Sequence, residues 1–152
     1  MSWQNTGHSH RSRRSLEMTK ISTFLMFSGD RHGKAEEAIN FYVAQFPNSR
    51  IDHIRRYPAG ANEPEGTVMH AAFTLNGQPF MAIDSAAPHA FNFTPSVSLF
   101  VECETEEELA RLFDTLSEAG QVLMALDNYG FSRQFGWTND RFGVSWQLNL
   151  PA

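Results

Sequence analysis

The sequence contains one cysteine and no long apolar run, and both shortages narrow the range of possible functions. Cys103 has no partner for an intrachain disulfide, and a single thiol cannot build a cysteine-based zinc site. A lone cysteine suits a reducing compartment, so we expect a cytoplasmic protein. No apolar stretch approaches the roughly 20 residues that span a bilayer, and we therefore expect no membrane partner.

Basic residues are also in short supply. The chain has 12 Lys and Arg against 17 Asp and Glu, which gives a formal net charge of −5 at pH 7. Proteins that bind nucleic acids usually concentrate positive charge on one surface. The charge balance therefore predicts no nucleic-acid partner.

Phenylalanine, by contrast, is abundant. The 152 residues are 41% hydrophobic, which suits one globular domain with a sizeable core. The 13 Phe residues are spread through segments of alternating polarity, so we expect most of them in that core.

Residues 1–18 differ from the rest of the chain, because they are polar and lack periodicity. We interpret them as a disordered leader or an expression remnant, and residues 19–152 as a single domain. Two alternatives remain open for this segment. Arg11, Arg13 and Arg14 could form a nucleic-acid-binding arm, and His8 with His10 could bind a metal.

The most informative stretch is Gly130 to Leu150. Apolar and polar residues alternate on both sides of a polar turn at residues 139–143. Period-two alternation around a tight turn predicts a half-buried hairpin. One face of this hairpin would join a core, while the other carries small polar groups and could line a cavity.

The first half of the chain predicts a strand, a helix and three further strands. The predicted helix at 34–46 has apolar residues at three-to-four spacing. Asn76-Gly77 is a strong signal for a two-residue hairpin between the last two strands. The predicted strands are 21–27, 50–57, 67–75 and 78–84.

A proline-containing linker at 86–95 precedes the second half, which begins with a predicted strand at 96–102. Thr105 and Glu108 form a capping box at the start of a helix, and Gly120 is its predicted C-cap.

A strand at 121–126 and the hairpin at 131–150 complete the second half. Both halves, at about 20–85 and 96–150, thus show the same order of elements. This repeat predicts an α+β fold of two βαβββ modules, whose mixed sheets curl around a shared cup.

Four segments punctuate the repeat: FLMFSGD at 24–30, AEEAINFY at 35–42, MHA at 69–71 and WTNDRFGVSWQ at 137–147. With the repeat, they resemble the vicinal oxygen chelate superfamily, which includes glyoxalase I, bleomycin-resistance proteins and extradiol dioxygenases. Within it the chain looks most like the PhnB-like group, often labelled demethylubiquinone methyltransferase-like. The resemblance implies the glyoxalase/bleomycin-resistance fold, a small-molecule ligand and a homodimer.

In metal-dependent members of this superfamily, four strands each offer one ligand, usually His, Gln or Glu, to a divalent metal in the cup. The resemblance places these positions at Ser22 or Thr23, Ile83 or Asp84, Ser96 and Gln147. Serine hydroxyls are poor ligands for Zn²⁺, Ni²⁺ or Fe²⁺. We therefore predict no metal and no cofactor, and a divalent metal stays the alternative.

Other combinations of reactive residues carry weak signals. His53, His70 and His89 could form a zinc site, but nothing in their spacing brings them together. Asp84 and Glu102 could act as an acid–base pair. We favour a structural interpretation, in which Asp84 is a turn residue at the end of a strand and Glu102 belongs to the acidic segment before the second helix. We predict no catalytic residue.

Small-molecule pockets are mostly apolar with a few polar groups, and the strands around the predicted cup offer both. The predicted ligand-binding residues are Asp84, Ser96, Ser98, Phe135, Trp137 and Gln147.

Three functions compete. The protein could bind a small apolar or aromatic molecule in a metal-free cup, or it could be a metal-dependent lyase, isomerase or dioxygenase. A methyltransferase is disfavoured, because the chain has no Gly-rich S-adenosylmethionine loop on a strand–helix unit. The departures from the metal-ligand pattern favour binding, and leave open whether the protein is an enzyme.

Overall fold

The computed structural model describes residues 19–152, and the predicted leader at 1–18 lies outside the described residues. A 3₁₀ turn at Gly29–Arg31 precedes the first helix. No helix in residues 19–152 is long and apolar enough to cross a membrane. The elements are β1 (Thr23–Phe27), α1 (Ala35–Gln45), β2 (Arg50–Arg56), β3 (Val68–Leu75), β4 (Gln78–Asp84), β5 (Leu99–Glu102), α2 (Glu106–Ser117), β6 (Gln121–Asp127), β7 (Gln134–Asn139) and β8 (Ser145–Leu150).

The strands form two four-stranded mixed sheets with the orders β1-β4-β3-β2 and β5-β8-β7-β6. The β1–β4 and β5–β8 pairs are parallel, and all other neighbouring pairs in these sheets are antiparallel. Both halves therefore repeat one order and one pairing pattern, which confirms the predicted α+β fold class of two βαβββ modules.

Each helix covers one sheet with the apolar stripe that its sequence predicts. In α1 the buried residues are Ala35, Ala38, Ile39 and Tyr42, and in α2 they are Leu109, Leu112 and Leu116. Spacings of three and four residues place such side chains on one helix face. The buried residues of both halves form one continuous hydrophobic cluster.

The halves meet where α1 contacts the β7–β8 hairpin. The Tyr42 and Trp146 ring centroids are 5.4 Å apart, and Phe46 stacks on Trp146 at 5.6 Å. Below these rings, the buried carboxylate of Asp140 accepts hydrogen bonds from Tyr42 Oη at 2.7 Å and Trp146 Nε1 at 2.9 Å. It also accepts the backbone N–H groups of Phe142 and Val144. The hairpin turn is thereby bound to the helix of the other half.

Helix α2 begins as predicted but ends differently. Thr105 Oγ1 accepts the Glu108 N–H at 3.2 Å, which is the N-cap half of the predicted capping box. The prediction of Gly120 as the C-cap is wrong, because the left-handed residue is Ala119, with φ of 57°. Gly120 is needed for another reason, since a Cβ there would overlap the carbonyl oxygen of Asn139.

Two strands start three residues later than predicted, because local turns precede them. The β5 strand begins at Leu99 and not at 96, since the Val97 N–H bonds back to the Thr94 carbonyl. The β7 strand begins at Gln134 and not at 131. There the Asn128 side chain accepts the Gly130 N–H at 2.8 Å and closes a turn.

Candidate functional site

Strand register shows which residues share a face of the first sheet. Phe24 pairs with Met81, and Met81 pairs with Ala72. The neighbouring pair, Leu25 and Ala82, is buried in the core, whereas Phe24 is 51% exposed. Because side chains alternate across a strand, Phe24, Met81 and Ala72 lie on the face away from the helices. We call this side of the two sheets the open face.

The second sheet repeats the arrangement with different side chains. Phe100 pairs with Gln147, and Gln147 pairs with Trp137. Phe100 is 54% exposed, while the next β5 residue, Val101, pairs with the buried Leu148. The structure thus places two of the predicted ligand-binding residues, Trp137 and Gln147, side by side on the open face.

Phe135, another predicted ligand-binding residue, lies on the same face but is largely covered. Its ring contacts Phe131 at a centroid distance of 5.1 Å and Tyr129 at 6.2 Å. Only 5% of Phe135 is exposed. Its main contribution is therefore to a small aromatic cluster beside the site.

A chain of hydrogen bonds links Trp137 to Ser98 through a residue that the sequence analysis did not select. Trp137 Nε1 donates to Ser145 Oγ at 2.8 Å, and the Ser145 and Ser98 hydroxyls are 2.7 Å apart. Ser98 also reaches the Pro95 carbonyl, at a long 3.4 Å. The signal for Ser145 was present, since it alternates onto the same strand face as Gln147.

The two hydroxyls open into a cavity of about 280 Å³ where β1 and the start of β5 meet. We call this cavity the seam pocket. None of its lining side chains is charged, so it suits a neutral molecule. Phe24 and Ser98 are among its lining residues, which are Thr23, Phe24, Leu25, Asn92, Phe93, Thr94, Val97, Ser98, Leu99, Val144 and Ser145.

Ser96 and Asp84 lie elsewhere. Ser96 is exposed in the loop before β5 and pairs with Thr94 Oγ1 at 2.6 Å. Asp84 is 1% exposed, and its carboxylate accepts backbone N–H groups from Gly33, Ala35 and Val68. It ties the start of α1 to β3, so the geometry gives Asp84 a structural role.

The positions that the superfamily uses for metal ligands hold donors that do not fit a divalent cation. Thr23 and Ile83 offer a hydroxyl and an aliphatic chain, Asp84 is occupied by backbone N–H groups, and Ser96 lies outside its strand. Gln147 supplies one amide, a weak ligand. Within residues 19–152, no group of three or more His, Cys, Asp and Glu side chains is arranged to hold a metal ion.

Two of the three histidines come together, which their spacing did not suggest. His53 Nε2 and His70 Nδ1 are 3.0 Å apart, and the rings stack at 5.2 Å. His89 lies apart and pairs with Ser85. The pairing arises because register shifts between β2 and β3 bring His53 opposite Ala72, two residues from His70.

The thiol of Cys103 does not act as a nucleophile in this arrangement. The side chain is 2% exposed, and burial raises the pKa of the thiol to about 12. A reactive cysteine needs a lowered pKa. Cys103 is therefore a core residue.

The chain is similar to known proteins over nearly its whole described length. The family model described as 3-demethylubiquinone-9 3-methyltransferase matches residues 19–149. A solved structure from Bacillus cereus, described as a putative 3-demethylubiquinone-9 3-methyltransferase and PhnB protein, is 56% identical, with a TM-score of 0.82 over 87% of this chain and 99% of that chain.

Two further proteins are less similar. Protein YjdN of Escherichia coli (strain K12) is 27% identical over 143 residues, which is 86% of this chain and 94% of that protein. The fosfomycin resistance protein FosX from Listeria monocytogenes is 7% identical, with a TM-score of 0.58 over 88% of this chain and 93% of that chain. This last likeness shows a shared fold alone.

Proposed function

Because the chain belongs to the 3-demethylubiquinone-9 3-methyltransferase family, the PhnB-like group of the vicinal oxygen chelate superfamily, we propose that it binds a small molecule in a metal-free cup. The ligand is neutral, has an apolar or aromatic body, and carries one hydrogen-bond acceptor. It occupies the seam pocket and extends onto the open face. The family label does not decide the chemistry, because one fold hosts many functions.

The observation that carries this proposal is the hydrogen-bonded chain of Trp137, Ser145 and Ser98 at the wall of an apolar cavity. Ser145 Oγ accepts the indole N–H, so its own hydroxyl proton can point to Ser98. The Ser98 proton then has only the long contact with the Pro95 carbonyl. A ligand acceptor at ordinary hydrogen-bond distance would be a better partner than this carbonyl.

The metal-free part of the proposal is supported by donor chemistry. The hydroxyl and amide groups at the superfamily's ligand positions are weaker ligands for Zn²⁺, Ni²⁺ or Fe²⁺ than imidazole and carboxylate. The one carboxylate, that of Asp84, already accepts three backbone N–H groups. If the purified protein held one divalent metal per chain and lost several degrees of melting temperature on chelation, the lyase, isomerase or dioxygenase alternative would replace this proposal.

We also propose that the protein is a homodimer whose second copy covers part of the open face. Phe24 and Phe100 are 51% and 54% exposed on neighbouring sheets of this face. Large exposed apolar side chains grouped on one surface usually mark an interface or a ligand site.

The proposed ligand site is tested with acetophenone, whose carbonyl is an acceptor, and with ethylbenzene, which has none. We expect both to shift the Trp137 indole N–H resonance and to bind saturably. In Ser98→Ala the affinity for acetophenone should fall about two- to tenfold, the value of one neutral hydrogen bond. The affinity for ethylbenzene should stay unchanged.

Ser96→Ala is the matched control, since Ser96 lies two residues away and outside the seam pocket. This variant should bind both probes as the wild type does. Equal affinity of wild type and Ser98→Ala for acetophenone would contradict the proposed role of Ser98, and absence of saturable binding by either probe would contradict the site.

A further inference from the structure

A second cavity, of about 350 Å³, lies between the β3–β4 turn and β5. We call it the acidic pocket, because Glu102 is its only charged lining residue. Its volume falls within the roughly 300–1,000 Å³ typical of small-molecule sites. It is lined by Phe46, Leu75, Asn76, Gln78, Phe80, Leu99, Phe100, Val101, Glu102 and Trp146.

The internal repeat relates this cavity to the seam pocket. Thr23, Phe24 and Leu25 of β1 pair with Phe80, Met81 and Ala82 of β4. In the second half, Leu99, Phe100 and Val101 of β5 pair with Trp146, Gln147 and Leu148 of β8. The two triplets therefore occupy equivalent positions. The β1 triplet lines the seam pocket, and the β5 triplet lines the acidic pocket.

The equivalent cavities differ in chemistry. Two residues after Phe24 stands Met26, and two residues after Phe100 stands Glu102, so the repeat exchanges a thioether for a carboxylate. Within the described residues, no cation forms an ion pair with Glu102. The side-chain amides of Asn76 and Gln78 add neutral acceptors at the same mouth.

Aromatic side chains form the remaining wall. Phe46 stacks on the buried Trp146 at a centroid distance of 5.6 Å, and Phe100 is half-exposed. Aromatic faces attract cations through their quadrupole, most strongly where water is partly excluded. A carboxylate without a partner beside aromatic rings is a pattern that suits a positively charged ligand.

We propose that the acidic pocket is a second binding site, which takes a small aromatic cation such as a quaternary or protonated amine. Its aromatic ring packs against Phe46 and Phe100, and its cationic group lies between Glu102 and the ring faces. The proposal goes beyond the neutral ligand of the seam pocket, since it concerns a different cavity and a positively charged ligand.

The test measures binding of benzyltrimethylammonium and of its neutral isostere neopentylbenzene. Each compound is titrated into the full-length protein, and its binding is followed by NMR chemical shifts. The cation should bind at millimolar concentration, with the largest shifts at Asn76, Gly77 and Val101. The isostere should bind at least threefold more weakly. In Glu102→Gln the affinity for the cation should fall about three- to fivefold, as for an exposed charge pair, and raised salt should weaken binding to the wild type only.

Two variants separate this site from the seam pocket. Glu102→Met, which copies the equivalent residue Met26, should lose the preference for the cation over its isostere. Ser98→Ala should bind the cation as the wild type does, although its affinity for acetophenone falls. Equal affinity for cation and isostere in the wild type, an unchanged affinity in Glu102→Gln, or shifts confined to the seam pocket would each overturn the proposal.

Discussion

At the scale of single residues, Asp140 is a buried carboxylate surrounded by hydrogen-bond donors. Its carboxylate meets four donors and no acceptor: the Tyr42 hydroxyl, the Trp146 indole and the N–H groups of Phe142 and Val144. Burial raises the pKa of Asp140 above its ordinary value, and the four donors oppose that rise. Burial likewise raises the pKa of Tyr42, so its hydroxyl stays a donor.

We expect Asp140→Asn to lower the free energy of unfolding by about 1–3 kcal/mol, because the amide nitrogen would face the indole N–H and leave a buried donor unpaired. Because the pKa of Asp140 is raised in the folded protein, the destabilisation by Asp140→Asn depends on pH. The folded wild type holds the proton more tightly than the unfolded chain, so its stability falls as pH rises from the ordinary Asp value of 3.8 through the raised folded pKa.

Asp140→Asn has no carboxyl group to titrate here, so it does not lose stability in this way. The difference in the free energy of unfolding between wild type and variant should therefore shrink as pH rises. Urea denaturation at a series of pH values measures it. Asp127→Asn, on an exposed residue, is the control and should match the wild type. A difference that grows with pH would contradict the direction of the pKa shift.

Sequence patterns predicted some of these residue roles and missed others. The sequence analysis named both Trp137 and Gln147 as ligand-binding residues, and the structure has them adjacent. Asp84 could not be assigned in this way, because a carboxylate at a strand end has the same pattern whether it faces a ligand or accepts backbone N–H groups. Ser145 was overlooked because its importance comes from two partners that lie 47 and 8 residues away.

At the scale of elements, the junction between α2 and β6 separates two demands on adjacent residues. Ala119 takes up the left-handed conformation with φ of 57°, where a Cβ costs roughly 1–2 kcal/mol. Gly120 has no such φ but lies against the Asn139 backbone, where a Cβ has no room. Adjacent substitutions should therefore change stability in opposite directions.

Gly120→Ala should lower the free energy of unfolding by about 1–3 kcal/mol, as overpacking against a rigid backbone does. Ala119→Gly should raise it by up to about 1 kcal/mol, since glycine relieves the strained φ and loses some of that gain to chain entropy. Thermal and urea unfolding of both variants check the pair. Destabilisation by Ala119→Gly, or an unchanged stability in Gly120→Ala, would contradict this assignment of the two residues.

The order of all ten elements followed from periodicity, because each strand and helix carries its own alternation or stripe. Periodicity did not predict where β5 and β7 start, since these starts depend on turns closed by the Thr94 carbonyl and by the Asn128 side chain. The meeting of His53 and His70 also escaped prediction, because it depends on the irregular β2–β3 register.

At the scale of the whole molecule, the open face is the surface on which the proposed homodimer is tested. Phe24→Ser combined with Phe100→Ser should shift the protein from dimer to monomer in sedimentation velocity at micromolar concentration, because it removes the exposed apolar side chains of both sheets. Phe91→Ser, at an exposed linker residue, is the control and should stay dimeric. A monomeric wild type, or a double variant that is still dimeric, would contradict the proposed interface.

Leu99 borders both cavities, since it lines the seam pocket and the acidic pocket alike. A ligand that displaces this side chain in one cavity changes the volume of the other. Such an effect is reciprocal, because two equilibria that share one group must alter each other by the same factor. We therefore expect each of the two proposed ligands to change the affinity for the other by the same factor where both displace Leu99.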